Sequence, residues 1–169
     1  SLFIGRYPLS FTQIIRIIIG RFIELQTDIN DIAKTVVWEI RLPRAILGSL
    51  VGGSLAISGA ALQGLFHNPL VDSGILGVSA GAGFGAALAI IFFDSVIMIY
   101  ILSFIFGLIA VFLSYTIANI YDNLPSIMLV LGGVIVSSVF KALVSFFKYV
   151  ADPQDQLPEI VFWLMGGVQ

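Results

Sequence analysis

The sequence predicts an all-α fold, a polytopic transmembrane helical bundle of four spans with short interfacial helices. Three observations lead there. Four long apolar runs, Ala45–Phe66, Ser73–Phe93, Ser95–Ala118 and Leu124–Phe140, carry no charged side chain. Each is near or within the ~17–25 residues a helix needs to cross a hydrocarbon core of ~30 Å. Hydrophobic residues make up 59% of the chain and charged residues 11%, against roughly 25% charged in average soluble proteins. Short polar or proline-containing segments separate the runs. In lipid every backbone N–H and C=O must be paired within its own segment, and a helix does that.

The elements follow in order. Tyr7-Pro8 reads as a turn, and Ser10 caps a short helix over Phe11–Leu25. Arg16, Arg21 and Glu24 make that helix too charged to span, so it is expected to lie at an interface. Thr27–Asp31 reads as a polar loop. Ala33–Ile40 leads into Arg41-Leu42-Pro43-Arg44, where Pro43 suits the first turn of a helix. The first span follows over about Ala45–Phe66, and His67-Asn68-Pro69 stops it, since proline cannot continue a helix. The second span covers about Ile75–Phe93, Asp94-Ser95 makes a tight turn, and the third covers about Val96–Ile120. Tyr121–Pro125 is a loop. The fourth span starts near Ser126 and runs to about Tyr149. Asp152-Pro153-Gln154-Asp155 is polar, and Glu159–Met165 reads as a short apolar helix ending at Gly166-Gly167.

Small residues recur every four positions in two spans. They are Gly48, Gly52, Ala56, Ala60 and Gly64 in the first, and Gly77, Gly81, Gly85 and Ala89 in the second. This spacing places them on one helical face, and small faces let membrane helices approach closely. Gly48, Gly52, Ala56, Gly77, Gly81 and Gly85 are therefore expected to be packing positions. The fourth span carries a polar stripe instead: Ser126, Gly133, Ser137, Lys141, Ser145 and Lys148. Ionisable residues inside a span face protein or water. Lys148 lies near the helix end, where snorkelling accounts for it. For Lys141, snorkelling and a hydrated wall both stand. Arg41 and Arg44 sit where the first span is expected to begin, at the positive end of its dipole, where cations are disfavoured. Two readings stand for them as well: lipid anchors, or residues awaiting an anionic partner.

Several classes of function find no support. There is no G-x-x-x-x-G-K-[ST] loop, no H-E-x-x-H motif, and one histidine in all, so no catalytic residues and no metal ligands are expected. Serine has no evident histidine partner for a triad. Cysteine is absent, which excludes disulfides and thiolate sites. Net charge is −2, with no basic run to suggest nucleic acid. No cofactor is expected. No signal peptide is evident, and a start at Ser1 rather than Met suggests a processed or truncated chain.

A family resemblance is carried by ordered motifs. Arg41-Leu42-Pro43-Arg44, Val51-Gly52-Gly53, Ile57-Ser58-Gly59-Ala60-Ala61-Leu62-Gln63-Gly64, Asn68-Pro69-Leu70-Val71-Asp72, Leu76-Gly77-Val78-Ser79-Ala80-Gly81-Ala82 and Trp163-Leu164-Met165-Gly166-Gly167 resemble the permease subunits of ATP-driven (ABC-type) importers for iron–siderophores, haem and cobalamin. Asp72-Ser73 departs slightly, because the family often has proline there. Such permeases have about ten spans, and this chain resembles the N-terminal half of one. Residues 1–169 then form a single transmembrane domain. Within it, 1–44 is an outer-face segment with an interfacial helix, 45–150 holds four spanning helices, and 151–169 is an outer loop with a short helix.

The resemblance implies roles. Arg41 and Arg44 face outward and receive glutamates of a substrate-binding protein. This reverses the orientation that charge counting suggests, since residues 1–44 carry six of the eight lysines and arginines. The fourth span corresponds to the helix lining the translocation pathway, so Ser126, Gly133, Ser137, Lys141, Ser145 and Lys148 become pathway wall, and Leu124, Pro125 and Ser126 the cytoplasmic gate. Implied partners are a second permease copy (identical or paralogous), cytoplasmic ATPase subunits, an extracytoplasmic substrate-binding protein and the lipid bilayer of a prokaryotic inner or plasma membrane. Oxyanion importers share these motifs, so the cargo stays open. A non-transporting scaffold and an ion-coupled carrier are the alternatives. A carrier would be marked by acidic residues within the spans, and none is present.

Overall fold

The computed structural model describes residues 9–20, 30–69, 71–93, 95–119 and 127–166, which are helical throughout apart from short connections. The helices are α1 (Phe11–Gly20), α2 (Asp31–Thr35), a π-helical segment (Val36–Arg41), α3 (Leu42–Phe66), α4 (Val78–Phe92), α5 (Val96–Asn119), α6 (Ile127–Val150) and α7 (Gln156–Leu164). They fall into two compact units, one up to Leu55 and one from Ala56 onward.

The N-terminal unit starts with a capping box. Gln13 N–H donates to Ser10 Oγ (3.3 Å), and Ser10 N–H donates to Gln13 Oε1 (2.9 Å), so two otherwise orphaned amides are satisfied. Ile14 and Ile17 of α1 bury against Ala33 and Val37. The last third of the expected Phe11–Leu25 helix, residues 21–25, lies outside the described residues. Asn30 caps α2, its Oδ1 accepting from Ile32 N–H at 3.3 Å.

The expectation that a helix begins at Pro43 is corrected. Helix runs without a break from Asp31 to Phe66, 36 residues in all. Proline has no N–H to donate, and its ring crowds the carbonyl one turn back. The chain passes it by widening: Leu42 N–H bonds Val37 O, a five-residue step, at the end of the π-helical segment. Arg41 and Arg44 are therefore interior to a long helix. The dipole argument made for them from the sequence does not hold, because that field is confined to the terminal turn.

In the second unit α3 ends in a Schellman motif. Asn68 N–H bonds Gln63 O (3.2 Å) and His67 N–H bonds Gly64 O (3.4 Å), with His67 left-handed at φ 49°. Glycine is the usual residue there. Pro69 follows, as the sequence suggests. Residues 71–77 are not helical, and side chains tie their backbone down. Gln63 Nε2 donates to Pro69 O (3.2 Å) and Val71 O (3.1 Å), Asp72 Oδ1 accepts from Gly74 N–H (2.8 Å), and the fully buried Ser114 Oγ of α5 donates to Leu76 O (2.9 Å). Gly77, at φ 80°, turns this segment into α4.

Four apolar segments match the four expected spans, with one difference. α3, α5 and α6 are long and apolar enough to cross a membrane, at 25, 24 and 24 residues. α4 has 15 residues rather than the expected 19, or about 22 Å at 1.5 Å per residue. Its shortfall coincides with residues 71–77. That segment packs on helix bodies and has the Val71 and Leu76 carbonyls bonded by side chains, in line with the condition under which irregular backbone is tolerated at membrane depth.

α4 is the centre of the bundle. Its Gly81 and Gly85 lie on the backbone carbonyls of Phe106 and Leu102 in α5. The facing stripe of α5 is also small: Ser103, Gly107, Ala110 and Ser114 are its buried positions besides Ile99. Gly132 of α6 approaches Ser114 O of α5, and Gly133 lies on Ile75 O of the segment before α4. Phe84 fills the space between helices, edge-on to Phe106 (4.9 Å), tilted on Phe140 (5.4 Å) and stacked with Phe147 (5.3 Å). α7 closes the other end, where Ile160 buries among Ala86, Ala87, Ala89, Ile90 and Ala151.

The first-span ladder behaves differently. No described atom lies within 4 Å of a methyl placed on Gly48, Gly52 or Gly64, and Ala56 is exposed. The described residues therefore supply no packing partner for Gly48 or Gly52.

Candidate functional site

The residues singled out from sequence fall in three places. Leu124, Pro125 and Ser126, expected to form a gate, lie outside the described residues. Arg41 and Arg44 are on the long helix of the N-terminal unit. The remainder are on α6.

The structure separates the arginines. Arg44 is exposed, whereas Arg41 is buried at 9% exposure and held within the chain. Arg41 is the last residue of the π-helical segment, and Arg44 lies in the first turn of α3.

On α6 the expected stripe divides. Gly133 and Ser137 face inward, Gly133 against Ile75 O and Ser137 Oγ 3.0 Å from where a methyl on Gly77 would sit. They hold the start of α4 in place. Lys141 and Ser145 are exposed, and Lys148 is half-buried. At ~100° per residue, Lys148, Lys141, Ser145 and Ser138 fall within an arc of about 80°. Ser145 Oγ donates to Lys141 O (2.9 Å) and Ser138 Oγ to Val134 O (2.8 Å). Neither lysine has an ion-pair partner among the described residues. The opposite flank is wholly apolar. Ile135, Val139 and Leu143 border a groove of about 410 Å³ with Ile109, Leu113 and Phe84. α6 therefore has an inner face, a cationic polar flank and an apolar flank.

No cluster of three or more histidine, cysteine or acidic side chains occurs among the described residues. His67 serves as a helix cap. Sequence reasoning missed Ser114 and the α5 stripe. The signal was there, since 103, 107, 110 and 114 are small residues at helical spacing in an otherwise bulky apolar helix.

Fold and surface together define an all-helical protein with several apolar helices of spanning length and one polar, cationic flank. The chain belongs to the FecCD transport family, whose model matches residues 1–169. It is 41% identical over 167 residues to the molybdate import system permease protein MolB of Haemophilus influenzae, covering 99% of this chain and 49% of that one. It is 43% identical over 144 residues to the cobalamin import system permease protein BtuC of Halobacterium salinarum (84% and 38% covered) and 43% identical over 133 residues to an iron chelatin transport system permease protein of Helicobacter pylori (79% and 40%). Among solved structures it is similar to an inward-facing metal-chelate type ABC transporter, with TM-score 0.79 and 38% identity, covering 98% of this chain and 48% of that one. The chain thus spans about half the length, or less, of these relatives, and matches their N-terminal part.

Proposed function

We propose that residues 1–169 are the N-terminal half of the membrane-spanning permease subunit of an ABC importer. In this reading the chain helps form a translocation pathway for a metal chelate such as iron–siderophore, haem or cobalamin, or for an oxyanion. A substrate-binding protein delivers the cargo, and separate cytoplasmic ATPase subunits drive transport, so this chain is a transport component rather than an enzyme. It sits in a prokaryotic cell membrane beside a second permease copy. The match of the FecCD model to the full length of the chain is the observation that carries the reading.

Roles follow for the residues above. Arg44, exposed, makes the direct contact with binding-protein carboxylates, and Arg41 supports it from a buried position. The polar flank of α6 is pathway wall, with Gly133 and Ser137 bracing it from behind. Leu124, Pro125 and Ser126 form the gate. The open face of α3, with Gly48, Gly52 and Ala56, packs against helices outside the described residues. The absence of any Asp or Glu from α3, α4, α5 and α6 argues against a carboxylate proton relay.

Purification of the assembled permease with its ATPase tests this. The complex is expected to hydrolyse ATP faster when cargo-loaded binding protein is added. A permease that copurifies with no ATPase, or an ATPase rate indifferent to binding protein, contradicts the reading.

A further inference from the structure

We infer that the polar flank of α6 selects for anionic cargo, with Lys141 as the specificity-determining residue and Ser145 and Lys148 completing the surface. The inference rests on the pathway reading above and narrows its substrate class to oxyanions and negatively charged chelates.

The depth of Lys141 is the first argument. α6 has 24 residues, about 36 Å, so centred on a ~30 Å core it projects ~3 Å at each end. Lys141 lies nine residues before Val150, which places it ~10 Å inside the boundary. A lysine stem extends about 6 Å, so its ammonium does not reach the headgroups by snorkelling alone. Lys148 is two residues from the end and reaches them readily. Lys141 thus requires water or an anion beside it.

Charge balance is the second argument. The four helices α3 to α6 carry Arg44, Lys141 and Lys148 and no Asp or Glu. The described acids of the same unit, Asp72, Asp152, Asp155 and Glu159, lie in connections or at the start of α7, and none pairs with either lysine. Two ammonium groups seven residues apart on one flank repel each other, and no acid among the described residues pairs with either. An anion passing along the flank offsets them. Ser145 lies between them, and its O–H is already given to Lys141 O. It therefore presents lone pairs that tolerate water and give no purchase to a bare anion, so the contact is electrostatic and transient, as conduction requires.

Residues 1–169 hold no cysteine, so with cysteines elsewhere in the assembly replaced an introduced thiol is the one that reacts. Ser145→Cys is introduced in the assembled transporter in phosphatidylcholine vesicles. Its reaction is timed with an anionic and with a cationic methanethiosulfonate reagent. The expected result is a preference for the anionic reagent of about tenfold, the lower end of electrostatic focusing in a charged cleft, falling to parity with Lys141→Met and Lys148→Met. Ser138→Cys, on the same flank, replaces Ser145→Cys where that variant fails to assemble. Equal rates for the two reagents overturn the anion inference and leave the pathway reading standing. No reaction with either reagent overturns both. A preference that survives both Lys→Met changes assigns the field to other groups and overturns the inference. So does a preference that disappears when phosphatidylglycerol is added, since the lysines then belong to lipid phosphates.

Discussion

Alanine at Gly81 or Gly85 should be among the most damaging single-methyl additions to this bundle. At Gly81 the new methyl falls on Phe106 O and 2.7 Å from Ala110 Cβ, and at Gly85 it falls on Leu102 O and 2.6 Å from Leu102 C. These are backbone atoms and one Cβ fixed to the backbone, none of which can swing aside. α4 and α5 must separate by roughly 1 Å, and a gap of that size forfeits a quarter to a half of each contact. For ~50 heavy-atom contacts of about 0.1–0.2 kcal/mol, the loss is ~1–5 kcal/mol, within or above the 1–3 kcal/mol usual for overpacking. Replacing glycine by alanine in a helix returns up to ~1 kcal/mol, so the net cost is about 2 kcal/mol. Gly107→Ala is the internal control. It lies on the same seam, but its methyl meets only Val78 and Ala82 side chains and Val78 O, at 3.6–3.8 Å. It should be neutral or slightly stabilising. Reversible unfolding of the full membrane protein in lipid nanodiscs reads all three. If Gly81→Ala and Gly85→Ala match Gly107→Ala, backbone contact at this seam is not what holds α4 to α5.

Further outcomes concern the caps and the cations. His67→Gly should stabilise by ~1 kcal/mol, since the left-handed position at the end of α3 costs a side-chain-bearing residue about that much; lower stability in the same unfolding assay would contradict the cap. Ser114→Ala should cost about 0.6–1.5 kcal/mol by stranding Leu76 O, and Ser114→Thr should not restore it, because the added methyl has no room at a fully buried site. Arg44→Glu should weaken binding-protein docking, with a loss that shrinks at high salt, and leave stability intact. Arg41→Glu should lower stability as well, because Arg41 is buried; equal stabilities for the two would erase the distinction drawn between them.

The long helices were the most legible part of the sequence. Expected as Val96–Ile120 and Ser126–Tyr149, α5 and α6 span Val96–Asn119 and Ile127–Val150, because unbroken apolar runs leave the backbone one way to satisfy itself in lipid. The segment before α4 was not legible. Ile75 and Leu76 read as membrane helix, but Leu76 O is taken by a serine 38 residues away, and the chain before them, at Pro69 and Val71, is held by a glutamine on α3. Pro43 misled for a different reason. A local rule places proline at a helix start, and a π-helical widening lets the helix continue through it. The glycine ladders were equivalent in sequence, yet one meets α5 and the other meets no described residue, since spacing defines a face and not its partner. On α6 the stripe was read as one surface. Gly133 and Ser137 belong to the packed interior, and helical phase alone does not say where the neighbouring backbone arrives.

The most direct measurement of the central claim is uptake into sealed vesicles containing the full permease, its ATPase and its binding protein. Molybdate, cobalamin and a ferric siderophore serve as separate probes. The account predicts that at least one accumulates, and that accumulation stops when ATP, the ATPase or the binding protein is withheld. Uptake that continues without the ATPase would mark an ion-coupled carrier or channel. Failure of all three probes in a complex with active ATPase would leave the chain without the transport role assigned to it.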